Sequence, residues 1–422
     1  MRLRPYLLLL RGNRSFTRLY IAQLISFGGD WFATVALLGL ALELTGSAAL
    51  ASLVLVLQSA PFFFASPIAG VLADRLDRRR LMVTADVLRA GAALTFLLVR
   101  DPSMLWIALL ATAAISALSA FFEPTSSAAL PNLVDESDLP VANVLLGSAW
   151  GTMLACGAAL GGLVAVAFGR DAAFLMDAVS FAISAALIVG IRRSFGGASR
   201  QARSATPDPT PEPAHGVMAA IAEALALARR SRRVAAFLLA KSTFGVGSGV
   251  ILLLAVFGSS IFQAGDVGIG ILFAARGLGA LLGPFLARAA FGFDDRGLII
   301  GIGVAFFLFL GSYLLLPLAP GLAVAAGLVF VAHVGGGAQW TLSTTGLQRA
   351  TPDAVRGRIF SVDYGLVTLV ATISIIVAGA VTSAFGPAAA IYALAIPAAV
   401  ASSVWVIWTR PLRRRDGSTL PE

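Results

Sequence analysis

Asp30 sits deep inside an unbroken apolar stretch, in the run Gly28-Gly29-Asp30-Trp31. A helix rising 1.5 Å per residue would carry it about 20 Å along its axis. A charge at that depth of a bilayer costs about 2.5–3.5 kcal/mol and must face a cavity or a partner. Two chemistries are open to it: a carboxyl that takes up and releases a proton, or a structural acid permanently paired near Trp31. Arg276, next to Gly277 and Gly279 in another apolar run, is a counter-ion for Asp30, a contact for an anionic ligand, or a structural ion-pair member. Asp86 and Arg89 are three apart and share one side of a helix, where they pair locally. Asp177 and Asp363 are weaker candidates of the same kind. His333 precedes Gly335-Gly336-Gly337 and titrates near neutral pH, so it is a proton relay or a packed, hydrogen-bonded histidine. Lys241 is the only lysine; early in its run, it is expected to snorkel to the membrane interface.

The elements that must position these groups follow from composition. The chain has 422 residues, of which 58% are hydrophobic and 13% charged. Soluble domains carry about 25% charged residues, and a bilayer-spanning helix needs about 20 apolar residues. Apolar runs recur at 17–42, 47–73, 81–99, 104–123, 141–168, 171–191, 234–262, 266–290, 297–318, 321–345, 355–385 and 387–409. The chain is therefore read as an all-α membrane protein with twelve transmembrane helices. The runs are continuous and too long for the alternating ten-residue strands of a barrel. The Leu7–Leu10 stretch is cut off by Arg11 and is too short for the apolar region of a cleavable leader. Short Gly, Pro or Asp turns, such as Phe385-Gly386-Pro387, make successive spans antiparallel neighbours.

The net charge of +9 does not indicate a nucleic-acid partner, because the arginines cluster at the ends of apolar runs. Placing the N-terminus in the cytoplasm puts nearly all loop arginines inside and leaves Arg100 and Arg170 outside, so both termini are expected to be cytoplasmic. Residues 196–233 differ in composition. Pro207, Pro209, Pro211 and Pro213 mark an extended linker, and residues 216–233 read as an amphipathic surface helix. The expected organisation is an N-terminal six-helix bundle (1–195), this linker, and a C-terminal six-helix bundle with a basic tail (234–422).

Between the second and third runs lies Gly70-Val71-Leu72-Ala73-Asp74-Arg75-Leu76-Asp77-Arg78-Arg79-Arg80. This resembles the signature loop of the major facilitator superfamily, with aspartate at 77 where that pattern has glycine. The variant is similar to the macrolide and siderophore (enterobactin exporter-like) efflux branch. So are Gly28-Gly29-Asp30-Trp31, Phe122-Glu123-Pro124, Ala275-Arg276-Gly277-Leu278-Gly279, and Pro352-Asp353 with Arg356-Gly357-Arg358. Gly157-Ala158-Ala159-Leu160-Gly161-Gly162 lacks the proline usual in drug antiporters of that superfamily. The resemblance implies the major facilitator fold, with two bundles around a central cavity that opens alternately to each side. It implies gating roles for Asp74, Arg75, Arg78, Arg79, Asp353, Arg356 and Arg358, supported by Asp86 and Arg89. From their own positions in the apolar runs, Asp30, Arg276 and His333 are the expected proton-coupling and cavity-lining residues.

No enzyme constellation is present. Two histidines and one cysteine give no zinc cluster, and there is no phosphate-binding Gly-rich Lys-Ser/Thr motif. No cofactor and no metal are expected. The expected partners are a small-molecule substrate, protons and the lipid bilayer. The protein is read as a monomer in a bacterial cytoplasmic membrane, exporting an amphipathic drug, macrolide or siderophore. An importer or lipid transporter on the same scaffold, or a membrane scaffold or sensor, are the rival readings.

Overall fold

The computed structural model describes residues 4–193, 195, 225–292, 294–351 and 353–413. All of the secondary structure among them is helical. A short helix α1 (Arg4–Gly12) precedes α2 (Arg14–Thr45), α3 (Ala48–Arg75), α4 (Arg78–Leu94), α5 (Leu105–Leu133), α6 (Leu139–Phe168) and α7 (Arg170–Val189). After the linker come α8 (Arg232–Gly247) and α9 (Val250–Val256), which runs on into a π-helical turn at Phe257–Ile261. Then follow α10 (Gly265–Phe291), α11 (Asp295–Leu315), α12 (Leu322–Ala350), α13 (Asp353–Phe385) and α14 (Pro387–Trp408). Among the described residues, 12 helical segments are long and apolar enough to cross a membrane. Of the linker, residues 196–224 lie outside the described residues; 225–230 are helical, and Ser231 then caps α8 through Val234 N–H.

Polar residues stop and start the helices where the apolar runs end. Asn13 accepts from Phe16 N–H at 3.0 Å to open α2. Gly46, at φ 61°, closes it, and Ser47 caps α3. Asp77 accepts from Arg80 N–H at 2.8 Å and so caps α4. The aspartate that departs from the superfamily pattern has this local job, since a side-chain oxygen there satisfies an otherwise orphan backbone donor.

The chain divides into two compact units, Met1–Pro211 with Ala255–Ala274, and Glu212–Leu254 with Ala275–Glu422. In the first, α2 lies along α6 and α7, α3 along α5, and α4 along α5 and α7. The segment 255–274 joins it because glycines let backbones touch. A Cβ on Gly162 would stand 2.6 Å from the Asp266 carbonyl oxygen, and one on Gly270 2.7 Å from that of Ala158. In the second unit α11 lies along α12, while α8 packs against α12, α13 and α14. The glycine run of α12 serves packing there: α12 is continuous through it, with Gly335 against α11 and Gly337 against Ala280 of α10.

Candidate functional site

The first unit holds a buried charged cluster on four helices. Arg89 of α4 donates from Nη1 to Asp86 Oδ1 at 3.0 Å and from Nη2 to Asp30 Oδ2 of α2 at 3.3 Å. Its guanidinium lies 4.0 Å from the ring centroid of Phe181 on α7 and 5.9 Å from that of Phe122 on α5. Asp86 and Arg89 are buried, whereas the Asp30 side chain keeps 30% of its exposure. Glu123 of α5 and Asp177 of α7 lie within electrostatic reach of the same guanidinium. Two carboxyls thus bond one base and two more lie within its electrostatic reach.

Sequence and geometry agree on which residues matter here and differ on how they are joined. The Asp86–Arg89 pair forms as their spacing requires. Asp30 is paired with Arg89 of α4, 59 positions away. Glu123 enters the cluster because α5 runs on to Leu133, well past the apolar run that ends at 123; the acid lies inside the helix rather than at its end.

The second unit carries two polar clusters. His333 of α12 is buried, with Nε2 2.8 Å from the Tyr313 hydroxyl of α11 and its ring edge-on to Phe309. Arg276 of α10 is within electrostatic reach of both Tyr313 and His333. Lys241 does not snorkel. It is 2% exposed and donates to Asp363 of α13, with Nζ 4.9 Å from the Trp340 ring centroid and 5.7 Å from that of Phe360. α8 begins at Arg232, so Lys241 is more than two turns inside the helix, beyond easy reach of its end.

At one end of the first unit, Arg78 Nη1 donates to Phe195 O at 3.2 Å and Arg79 Nη2 to Arg193 O at 3.2 Å, with the Arg79 guanidinium over the Phe195 ring. These arginines tie the exit of α7 to the start of α4. The side chains of Asp74, Arg75, Asp353, Arg356 and Arg358 lie outside the described residues. At the opposite end Arg170 donates to Asp266 from Nε at 2.8 Å and Nη2 at 3.2 Å, and from Nη1 to Glu43 at 2.6 Å. Arg100 and Asp171 form an exposed bidentate pair, both bonds 2.9 Å, and that carboxylate pushes the Arg100 guanidinium further up.

A family model described as transmembrane secretion effector matches residues 10–420. The chain belongs to this family. A Bacillus subtilis (strain 168) protein named for bacilysin export, BacE, is 28% identical over 349 residues, 82% of each chain. The macrolide efflux protein A of Streptococcus pyogenes is 30% identical over 126 residues, 29% of this chain and 31% of its own. The crystal structure of a bacterial homologue of the human lysosomal transporter Spinster, in an inward-facing and unoccupied conformation, superposes with TM-score 0.74. It is 15% identical, covers 96% of this chain and 98% of its own, and shows the fold. The chain is thus a multi-pass transporter of the major facilitator efflux type with the twelve-helix fold expected, and not an enzyme.

Proposed function

We propose that this protein is an antiporter in a bacterial cytoplasmic membrane, with both termini cytoplasmic, that exports amphipathic small molecules by alternating access as protons enter. The observation that carries this reading is the cluster around Arg89, in which the partly exposed Asp30 and the fully buried Asp86 share one guanidinium. Proton uptake on Asp30 removes its charge and leaves Arg89 hydrogen-bonded to Asp86. Proton release restores the fork. One charge crossing 100 mV is worth about 2.3 kcal/mol, enough for roughly a 50-fold substrate gradient. Names of relatives support the substrate class: macrolide efflux for one, multidrug efflux for another, Tap of Mycobacterium bovis. In this reading Arg276 and His333 line the substrate path, and the arginine-bearing loops around Asp74 and Asp353 latch and release during the cycle.

The test is transport in proteoliposomes under an imposed pH gradient. Asp30→Asn is expected to abolish proton-driven substrate accumulation while leaving downhill substrate exchange in place. Uptake by Asp30→Asn at the wild-type rate, still collapsed by a protonophore, would show that Asp30 does not carry the proton.

A further inference from the structure

The surroundings of Lys241 have the composition of a site for an organic ammonium. Asp363 supplies a carboxylate, and the faces of Trp340 and Phe360 lie 4.9 and 5.7 Å from Nζ. Aromatic faces within about 6 Å attract a cation through the ring quadrupole and repel an anion. All three walls therefore favour positive charge, and the group now filling the space is the ammonium of a side chain. Of the 31 lysine and arginine residues of the chain, all but Lys241 are arginine; the compact head and flexible stem of lysine are confined to this position. Asp363 gives Lys241 only one of its oxygens: Oδ2 accepts the lysine, while Oδ1 is buried and has no hydrogen-bond partner among the described residues. An unmade bond on a buried acceptor costs about 1–3 kcal/mol, and an incoming N–H would recover it. Trp340 also packs edge-on to Tyr364, ring centroids 5.7 Å apart, and Tyr364 is 57% exposed, so one wall of the site reaches the protein surface.

We infer that Asp363, Trp340 and Phe360 form a recognition site for a primary alkylammonium group, and that Lys241 is its resident occupant, displaced along its own flexible stem when such a substrate binds. The inference names the substrate class for the export proposed above, as amphipathic amines. Its test is a binding measurement without transport, so a failed site would leave the proton-driven cycle to its own experiment.

Lys241→Ala removes three methylenes and the ammonium, which are the atoms of n-propylammonium. In purified full-length protein in detergent, n-propylammonium is expected to raise the unfolding temperature of Lys241→Ala, and isosteric n-propanol is not. A second arm needs no cavity. Octylammonium is expected to bind wild-type protein saturably, followed by tryptophan fluorescence, while octanol does not. Trp340→Leu keeps the ion pair but removes the stronger aromatic face, and should weaken octylammonium by about fivefold or more. Equal responses to n-propylammonium and n-propanol in Lys241→Ala would overturn the site. If that variant does not fold, octylammonium binding wild type and Trp340→Leu equally well would do so.

Discussion

The cluster around Arg89 makes two different demands on its acids, and the difference can be measured. Arg89 and Asp86 are buried, 3.0 Å apart, on successive turns of one helix. Removing one partner of such a pair leaves an uncompensated charge and costs about 3–5 kcal/mol. Arg89→Met is therefore expected to lose about that much stability, with its stacking on Phe181 included. Asp86→Asn combined with Arg89→Met removes both charges and should recover about 2 kcal/mol or more relative to the sum of the single variants, since contacting residues couple at that level. Asp30 stands differently. Its side chain is 30% exposed and its bond to Arg89 is 3.3 Å, so Asp30→Asn should cost only about 1 kcal/mol. The assay is equilibrium unfolding in mixed detergent with a double-mutant cycle on Asp86 and Arg89, run beside Asp30→Asn. Arg89→Met within about 1 kcal/mol of wild type would refute the reasoning. So would Asp30→Asn destabilising as much as Asp86→Asn, because Asp30 would then be a structural acid and unavailable for proton exchange.

Three further outcomes are expected. Asp77→Ala removes the cap on α4 and should lower stability by about 1 kcal/mol, while Asp77→Asn, which can also accept from Arg80 N–H, should stay near wild type by thermal unfolding. Gly162→Ala drives a methyl onto the backbone of Asp266 at 2.6 Å and should destabilise by about 1–3 kcal/mol through overpacking; unchanged unfolding would mean that α6 and α10 part freely at that point. Arg170→Met breaks three hydrogen bonds, two of them to the nearly buried Asp266. It should lower stability by about 3 kcal/mol or more, because it leaves the Asp266 carboxylate buried and uncompensated; unchanged thermal unfolding would show that the clasp does not hold that end.

Much of the fold could be read from the sequence because a bilayer imposes one rule on every span, and apolar length reveals it. The ends of helices were less legible. α5 and α12 run past their apolar stretches, to Leu133 and Ala350, since a helix continues into the polar region for as long as its own hydrogen bonds and neighbours hold it. Glu123 was missed for that reason. Charges inside apolar runs were legible as candidates, because their burial cost requires an explanation. Their partners were legible only where spacing is local. Asp86 and Arg89 are three apart and could be paired on sight; Asp30–Arg89 and Lys241–Asp363, 59 and 122 positions apart, are set by which helices pack side by side. His333 with Tyr313 is a third case, joined across α12 and α11.

The two buried bases also differ in kind, and that difference bears on how work is divided in the cycle. Arg89 presents a planar fork to two carboxylates and is stacked on Phe181. A guanidinium held in that way stays in place, so the group free to change is the acid with solvent exposure, Asp30. Lys241 is a point charge on a flexible stem, held by one carboxylate oxygen and two ring faces, so there the base itself can be exchanged. A fixed base with a variable acid suits proton traffic, and a movable base against a fixed acid suits exchange of one ammonium for another. The contrast supports placing, in the cycle we propose, the proton in the first unit and the substrate cation in the second. It predicts that Asp30→Asn leaves octylammonium binding unchanged, and that Trp340→Leu weakens binding while proton-driven transport of non-amine substrates persists.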